Sequence, residues 1–260
     1  MMTSGPASPS PILEVDRISR WFGGVRAVDE ASFSLERGGI TGLIGPNGAG
    51  KSTILSLIAG TQSPTNGRIL YEGRDIAGSS PHEMARHGLI RTFQHSREFK
   101  KLTALENLMV AAPSRRGSTL WGSLRSKKHW LDDERSAYTL ASALLERFGL
   151  QGVRDEYAGE LSTGQRRLID LTRALMAEPK VLLLDEPFAG ILPSLARVIE
   201  NELKTLRDEG LTLLVVEHNL ETIERLTDSV IVMAQGSVLA EGSMAELREE
   251  REVLDVYLAG

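Results

Sequence analysis

The stretch Gly45-Pro46-Asn47-Gly48-Ala49-Gly50-Lys51-Ser52-Thr53 constrains this chain more than any other. It fits the pattern G-x-x-x-x-G-K-[ST], and its flanks agree with that pattern. The apolar run Ile40 to Ile44 before it reads as a buried strand, and Ser52 to Ala59 after it carries Ile54, Leu55, Leu57 and Ile58 at helical spacing. In such a strand, loop and helix, the glycines let the backbone curl so that successive N–H groups point inward, and the helix adds its positive end. The loop is an anion cradle for phosphates. Lys51 would reach the β and γ phosphates as a point charge, and the Ser52 hydroxyl would ligate Mg²⁺.

A buried strand needs neighbours. Val181 to Leu184 and Leu211 to Val216 are further short apolar runs, each adjoining helical patterns, which is the mark of a parallel sheet covered on both faces. Ala31, Phe33 and Leu35 alternate with polar residues as a half-buried strand does, and Val230 to Ala240 predicts a hairpin turning at Gln235-Gly236. Between the two halves, Ser96 to Ala177 repeats Ala, Leu, Glu and Arg at helical spacing, as in Tyr138 to Phe148 and Arg166 to Met176. The expected organisation is a disordered Ser/Pro/Gly-rich tail over 1–11, an α/β core over 12–95 and 178–240, a helical subdomain over 96–177 and a C-terminal helical extension over 241–260. Pro113 to Lys128 mixes Ser, Gly, Arg and Lys near Trp121 and Trp130, and reads either as a solvated basic loop or as a contact for lipid headgroups or a partner.

Composition removes several classes of function. With no cysteine there is neither a disulfide framework nor a thiolate metal site, and a reducing compartment is favoured. A formal net charge of -5 argues against a dedicated nucleic-acid binder. No stretch approaches the ~20 apolar residues that span a bilayer, so a membrane role has to come through a partner.

The run Val181-Leu182-Leu183-Leu184-Asp185-Glu186 sets two acids at the end of an apolar strand, where burying either carboxylate unpaired would be costly and a cation is implied. Asp185 fits a Mg²⁺-associated acid and Glu186 a group that orients or deprotonates an attacking water, although an acid at a strand end is also a common helix cap. Leu161-Ser162-Thr163-Gly164-Gln165 precedes the Arg166 to Met176 pattern, so Ser162 suits an N-cap. The same helix start offers a second phosphate site, which would serve another subunit's nucleotide.

Together these residues resemble the ATP-binding cassette (ABC) family, and the resemblance runs from Ile12 to Gly260. It is carried by the phosphate loop Gly45 to Thr53, the signature-like Leu161 to Gln165, the strand end Val181 to Glu186, Gln94 in Arg91-Thr92-Phe93-Gln94, and His218 in Val216-Glu217-His218, all in family order. The resemblance implies an α/β fold with a P-loop NTPase core, an antiparallel β subdomain and an inserted α-helical subdomain. It also implies a head-to-tail dimer closing around two ATP molecules, each held between the cradle formed by Gly45, Pro46, Asn47, Gly48, Ala49, Gly50, Lys51, Ser52 and Thr53 of one subunit and Ser162, Gly164 and Gln165 of the other. By the same resemblance Gln94 senses Mg²⁺ and the attacking water, His218 bonds the γ-phosphate, and Phe22, rather than its neighbour Trp21, stacks on adenine. Lys51, Gln94, Glu186 and His218 are then the catalytic set, and Ser52, Gln94 and Asp185 the metal set.

Within the family the chain is similar to the ATPases of branched-chain amino-acid importers. The cues are Phe22-Gly23-Gly24-Val25-Arg26-Ala27-Val28, Arg91 to His95 with Glu106-Asn107-Leu108, the insertion Pro113 to Asp132, and the closing Val256-Tyr257-Leu258. Two positions depart from the family pattern: Thr163 stands where the signature usually has Gly, and Leu192 where the loop after Glu186 usually offers Asp or Asn. The resemblance implies an ATP-hydrolysing subunit at the cytoplasmic face of a membrane, powering import of branched-chain amino acids or a related small polar solute. Its partners would be transmembrane permease subunits docking at His95 to Ala111, a second ATPase subunit, identical or a sibling, and indirectly a solute-binding protein, with no nucleic acid. A soluble cluster-assembly ATPase and a lipopolysaccharide-export ATPase remain the alternatives.

Overall fold

Ile40–Ile44, Val181–Asp185 and Thr212–Val216 are buried at every position, and strands buried on both faces belong inside a sheet. In the computed structural model of the chain, which describes residues 10–92, 99–113, 127–251, 253 and 255, they occupy its centre. The described strands are β1 (Leu13–Phe22), β2 (Val25–Leu35), β3 (Ile40–Ile44), β4 (Asn66–Tyr71), β5 (Arg74–Asp75), β6 (Leu89–Arg91), β7 (Val181–Asp185), β8 (Thr212–Val216), β9 (Ser229–Ala234) and β10 (Ser237–Gly242). The described α-helices are α1 (Lys51–Ile58), α2 (Pro81–Arg86), α3 (Ala104–Ala111), α4 (Lys127–Arg147), α5 (Thr163–Leu175), α6 (Pro193–Asp208), α7 (Leu220–Leu226) and α8 (Met244–Leu247).

The chain divides into two compact units. The first takes the described residues within Met1–Arg91, Lys180–Pro187 and Leu203–Gly260. It holds a sheet ordered β10-β9-β3-β8-β7-β6, in which every neighbouring pair is parallel except β10 with β9, and an antiparallel sheet ordered β2-β1-β4-β5. Because β6, β7, β8 and β3 are parallel and in step, with Leu43 opposite Val216 and Val216 opposite Asp185, their carboxyl ends emerge along one edge. In open sheets of this kind, ligands bind outside those ends, at the point where strand order reverses. Here β8 lies on one side of β3 and β9 on the other, so the loop after β3 sits at that point.

Inward residues of both sheets share one core with α1, whose Ile54, Leu55, Leu57 and Ile58 are buried among Leu43, Leu183 and Leu214. The two sheets are also tied by hydrogen bonds. The Asp29 N–H donates to Gly236 O at 2.9 Å, Ser237 Oγ donates to Asp29 O at 2.9 Å, and the Gly236 N–H donates to Ala49 O at 3.1 Å. Gln235-Gly236 is the turn of the expected hairpin, and both residues have positive φ. At the end of β4, the buried Tyr71 donates its hydroxyl to His87 O at 3.0 Å, and burial pushes its phenol up to about 12.

The second unit takes the described residues within Thr92–Pro179 and Phe188–Glu202. From sequence alone 178–240 reads as core, yet Phe188–Glu202 groups with the helices. Ile199 is buried, and Arg147 Nε at the end of α4 donates to Glu202 Oε2 at 2.8 Å. Along α5, Leu168, Leu171, Thr172 and Leu175 recur every third or fourth residue and form its buried face. The segment before α3 is organised by Asn107, which is fully buried. Its Nδ2 donates to Phe99 O, Leu102 O and Thr103 O, and its Oδ1 accepts from the Phe99 N–H at 2.8 Å.

Candidate functional site

The loop after β3 takes its shape from close main-chain approach. Gly45 has φ 149, and a Cβ there would lie 2.2 Å from Met233 O on the neighbouring β9, so no side chain fits. Gly48 has φ 80 with nothing among the described residues within 4 Å of where a methyl would stand, and its requirement is conformational. Asn47, Gly48 and Ser52 are exposed, Pro46, Gly50 and Thr53 half-buried, and Gly45 and Ala49 buried. At the start of α1 the N-cap is Gly50, no side chain caps the helix, and its first turn carries no acid. Its leading N–H groups are left for an anion.

Lys51 is buried against this loop. Its Nζ donates to Gly45 O at 2.7 Å and Pro46 O at 2.9 Å. Burial pushes its ammonium below the ordinary lysine range, while the nearby carboxylates of Glu186 and Asp185 pull it back up. The loop therefore carries a desolvated cation and a set of backbone donors, a combination suited to the oxygens of a polyphosphate.

The two acids at the end of β7 face different surroundings. Asp185 is buried, its Oδ2 accepts from Arg91 Nη2 at 2.9 Å, and its Oδ1 is buried without a hydrogen-bond partner among the described residues. Glu186 is half-buried at φ 50, a left-handed conformation that costs a non-glycine residue about 1 kcal/mol or more and gathers at functional sites. Its N–H donates to Val216 O at 3.0 Å, and its Oε1 lies 2.9 Å from His218 Nε2. The parallel sheet thus brings Lys51, Asp185, Glu186 and His218 to one edge although they come from widely separated parts of the chain.

Three expected residues lie in the second unit. Ser162 is the N-cap of α5. Its Oγ accepts from the Gln165 N–H at 3.2 Å, and Gln165 Oε1 accepts from the Ser162 N–H at 2.9 Å, a reciprocal capping box. Gly164 follows in the first turn of the same helix. The capping reading of Ser162 thus holds, and a capped helix start still presents N–H groups to an anion. Gln94 falls outside the described residues, as do His95, most of the Pro113 to Asp132 insertion and Val256 to Leu258.

Phe22 and Trp21 end β1 at the two-residue turn Gly23-Gly24, and both are exposed, at 43% and 42%. Each carries an arginine over its ring, Arg20 at 4.8 Å from the Phe22 centroid and Arg26 at 5.1 Å from that of Trp21. Exposure does not separate them. Sequence reasoning also passed over the pairing of Arg91 with Asp185, which adds a half-buried cation to the site. Its one trace in the sequence is a cation closing the otherwise apolar Leu89-Ile90 strand.

The donor set is compatible with Mg²⁺. Among the described residues no group of three His, Cys, Asp or Glu side chains could hold a metal. Mg²⁺ does not require one, because it keeps waters and is commonly bound through one or two carboxylates and substrate phosphates. The unpartnered Asp185 Oδ1 and the exposed Ser52 beside the cradle fit that manner of binding.

A family model described as "ABC transporter" matches residues 28–189, well over half of the chain. This chain belongs to the ABC transporter family. Among curated relatives of this ABC family member is the "Probable branched-chain amino acid transport ATP-binding protein LivG" of Archaeoglobus fulgidus, 37% identical and covering 95% of each chain. Another is the "High-affinity branched-chain amino acid transport ATP-binding protein BraF" of Pseudomonas aeruginosa, 36% identical over 95% of this chain and 98% of that one. Among solved structures, the ADP conformation of an ATP-binding cassette of an ABC transporter superposes with a TM-score of 0.84 at 36% identity, covering 96% of this chain and 100% of the other. The expected ABC ATPase fold, with its α/β core and helical insertion, is the fold found.

Proposed function

We propose that this chain binds and hydrolyses ATP as the motor subunit of an importer for branched-chain amino acids or a related small polar solute. The observation that carries the hydrolytic half is the 2.9 Å contact between Glu186 and His218 on the sheet edge that also holds Lys51. Phosphates settle on the N–H groups of Gly48 to Thr53 and on the Lys51 ammonium, which exchanges its carbonyl partners for phosphate oxygens. Glu186 accepts a hydrogen bond from the attacking water and draws its proton, with its carboxylate held in place by the His218 ring. His218 and Gln94 supply contacts to the γ-phosphate and to the water. Mg²⁺, when bound, would be held by Ser52, Asp185 and Gln94 and would neutralise the charge that develops on the β and γ oxygens. Phe22 stacks on adenine.

Ser162, Gly164 and Gln165 would close on the nucleotide of a second ATPase subunit, identical or a sibling. At that seam Leu192, which is 72% exposed, offers an apolar contact in place of a polar one. The importer assignment rests on the names of the relatives, which favour it over cluster assembly and lipopolysaccharide export. Among the described residues no helix is long and apolar enough to cross a membrane. The reading therefore places the chain against permease subunits at the cytoplasmic face, with a solute-binding protein as an indirect partner.

The test is to immobilise the tagged protein, expose it to detergent-solubilised membranes of its own source with and without ATP, and identify what is retained. Permease subunits are expected, with the second ATPase subunit recovered in an ATP-dependent manner. Reproducible recovery of soluble proteins alone would overturn the transport reading and leave ATP hydrolysis standing.

A further inference from the structure

The mechanism leaves a half-buried cation, Arg91, without a role. Arg91 ends β6 opposite Leu183 in the parallel register. Asp185 lies two residues farther along β7, on the same face as Leu183, because side chains alternate along a strand. The guanidinium reaches along that face: Nη2 donates to Asp185 Oδ2 at 2.9 Å, with the two side chains only 13% and 1% exposed. Its Nη1 donates to Ser56 Oγ at 2.8 Å, and the Ser56 hydroxyl donates to Ser52 O at 2.7 Å, one turn back along α1. A continuous hydrogen-bonded path therefore joins Asp185 to the turn that carries Ser52, the two described members of the expected metal set. Asp185 Oδ1 takes no part in it.

A carboxylate this deep requires a counter-charge at all times, including when no metal is present. A guanidinium suits the task better than an ammonium, because it is always charged and its planar fork serves two acceptors at once. We propose that Arg91 is the resident counter-cation of Asp185 and a positioning residue for the divalent cation: it occupies Oδ2, leaves Oδ1 to the cation, and fixes the acid relative to Ser52 through Ser56. This rests on the reading of Asp185 as the magnesium-associated acid. The site is then electrically balanced before nucleotide arrives, and Asp185 does not draw a metal in by itself.

The test uses the full chain without nucleotide, melted in EDTA and in excess MgCl₂, as wild type, Arg91→Met, Arg91→Lys, Asp185→Asn and the double variant Arg91→Met/Asp185→Asn. Stripped of its partner, a buried carboxylate should lower the melting temperature of Arg91→Met in EDTA by roughly 6 to 15 °C, and MgCl₂ should return at least half of that loss while moving the wild type by no more than about 2 °C. Arg91→Lys, which keeps the charge, should recover part of the loss in EDTA. The double variant, with both charges gone, should melt well above Arg91→Met and ignore MgCl₂. A double variant as unstable as Arg91→Met, or a failure of both to fold, would overturn the proposal, since Arg91 would then be packing rather than balancing charge. Recovery in the double variant without any response of Arg91→Met to MgCl₂ would overturn the metal reading of Asp185 and locate the error there rather than in the ion pair.

Discussion

Replacing Gly45 and Gly48 separately by alanine divides the glycine-rich loop into its sheet-building and ligand-facing parts. At Gly45 the new methyl would stand 2.2 Å from Met233 O, about 1 Å short of the ~3.3 Å at which carbon and oxygen ordinarily touch. The obstacle is main chain in the adjacent strand and cannot rotate away. Adding about 1–3 kcal/mol for overpacking to a similar sum for the disfavoured φ gives a loss of about 2–6 kcal/mol, or a fall in melting temperature of roughly 10 °C for a chain of this size. At Gly48 nothing among the described residues lies within 4 Å and φ 80 resists, so the cost is about 1–2 kcal/mol and a few degrees. Gly48→Ala should nevertheless lower ATP affinity by more than tenfold in a calorimetric titration, because the methyl is added where phosphate must approach the backbone. Thermal melts followed by circular dichroism supply the other half of the comparison. Equal destabilisation of the two variants, or a Gly45→Ala protein melting within about 2 °C of wild type, would refute the reasoning.

Glu186→Gln should keep ATP binding and lose at least about a hundredfold in phosphate release, since an amide cannot draw the proton, and His218→Ala should lose by a similar factor, since it removes one side of the 2.9 Å pair. Asn107→Leu strands the backbone groups that the amide now serves at Phe99, Leu102 and Thr103, and should cost about 3 kcal/mol or more in urea unfolding while leaving the phosphate loop's affinity for ATP unchanged. The phenol of Tyr71 is raised to about 12 when folded, against 10.0 as its reference value. The folded state thus holds a proton that the unfolded state releases first, and stability present below pH 10 is lost as pH rises towards 12, at no more than about 1.4 kcal/mol per pH unit. Tyr71→Phe should flatten that part of the stability–pH curve, as read by denaturant midpoints at successive pH values.

The elements read most directly from sequence are those whose pattern has a single physical solution. Ile40 to Ile44 and Val181 to Leu184 are short apolar runs of the kind interior strands have, and Ser162 reads as an N-cap because it stands just before the helical Arg166 to Met176 pattern. Lys51, Asp185, Glu186 and His218 were legible because each follows or ends a strand, and parallel strands in step deliver such residues to the same edge. What escaped was pairing at a distance. Nothing near Arg91 in the chain points to Asp185, 94 positions away, because that contact exists only once β6 and β7 lie side by side. The grouping of Phe188–Glu202 with the helices was hidden for a similar reason: amphipathic spacing in α6 shows that one face is buried and not what buries it.

The turn at Gln235-Gly236 has a wider meaning. It bonds to Ala49 on one side and, with Ser237, to Asp29 on the other, so the strand pair ending in Trp21 and Phe22 is clamped to the loop that would take the phosphates. Two jaws fixed to one bolt make a gauge. On the proposed reading, in which Phe22 stacks on adenine and the loop takes the phosphates, a bare pyrophosphate would meet one jaw alone, and a nucleotide would have to reach both.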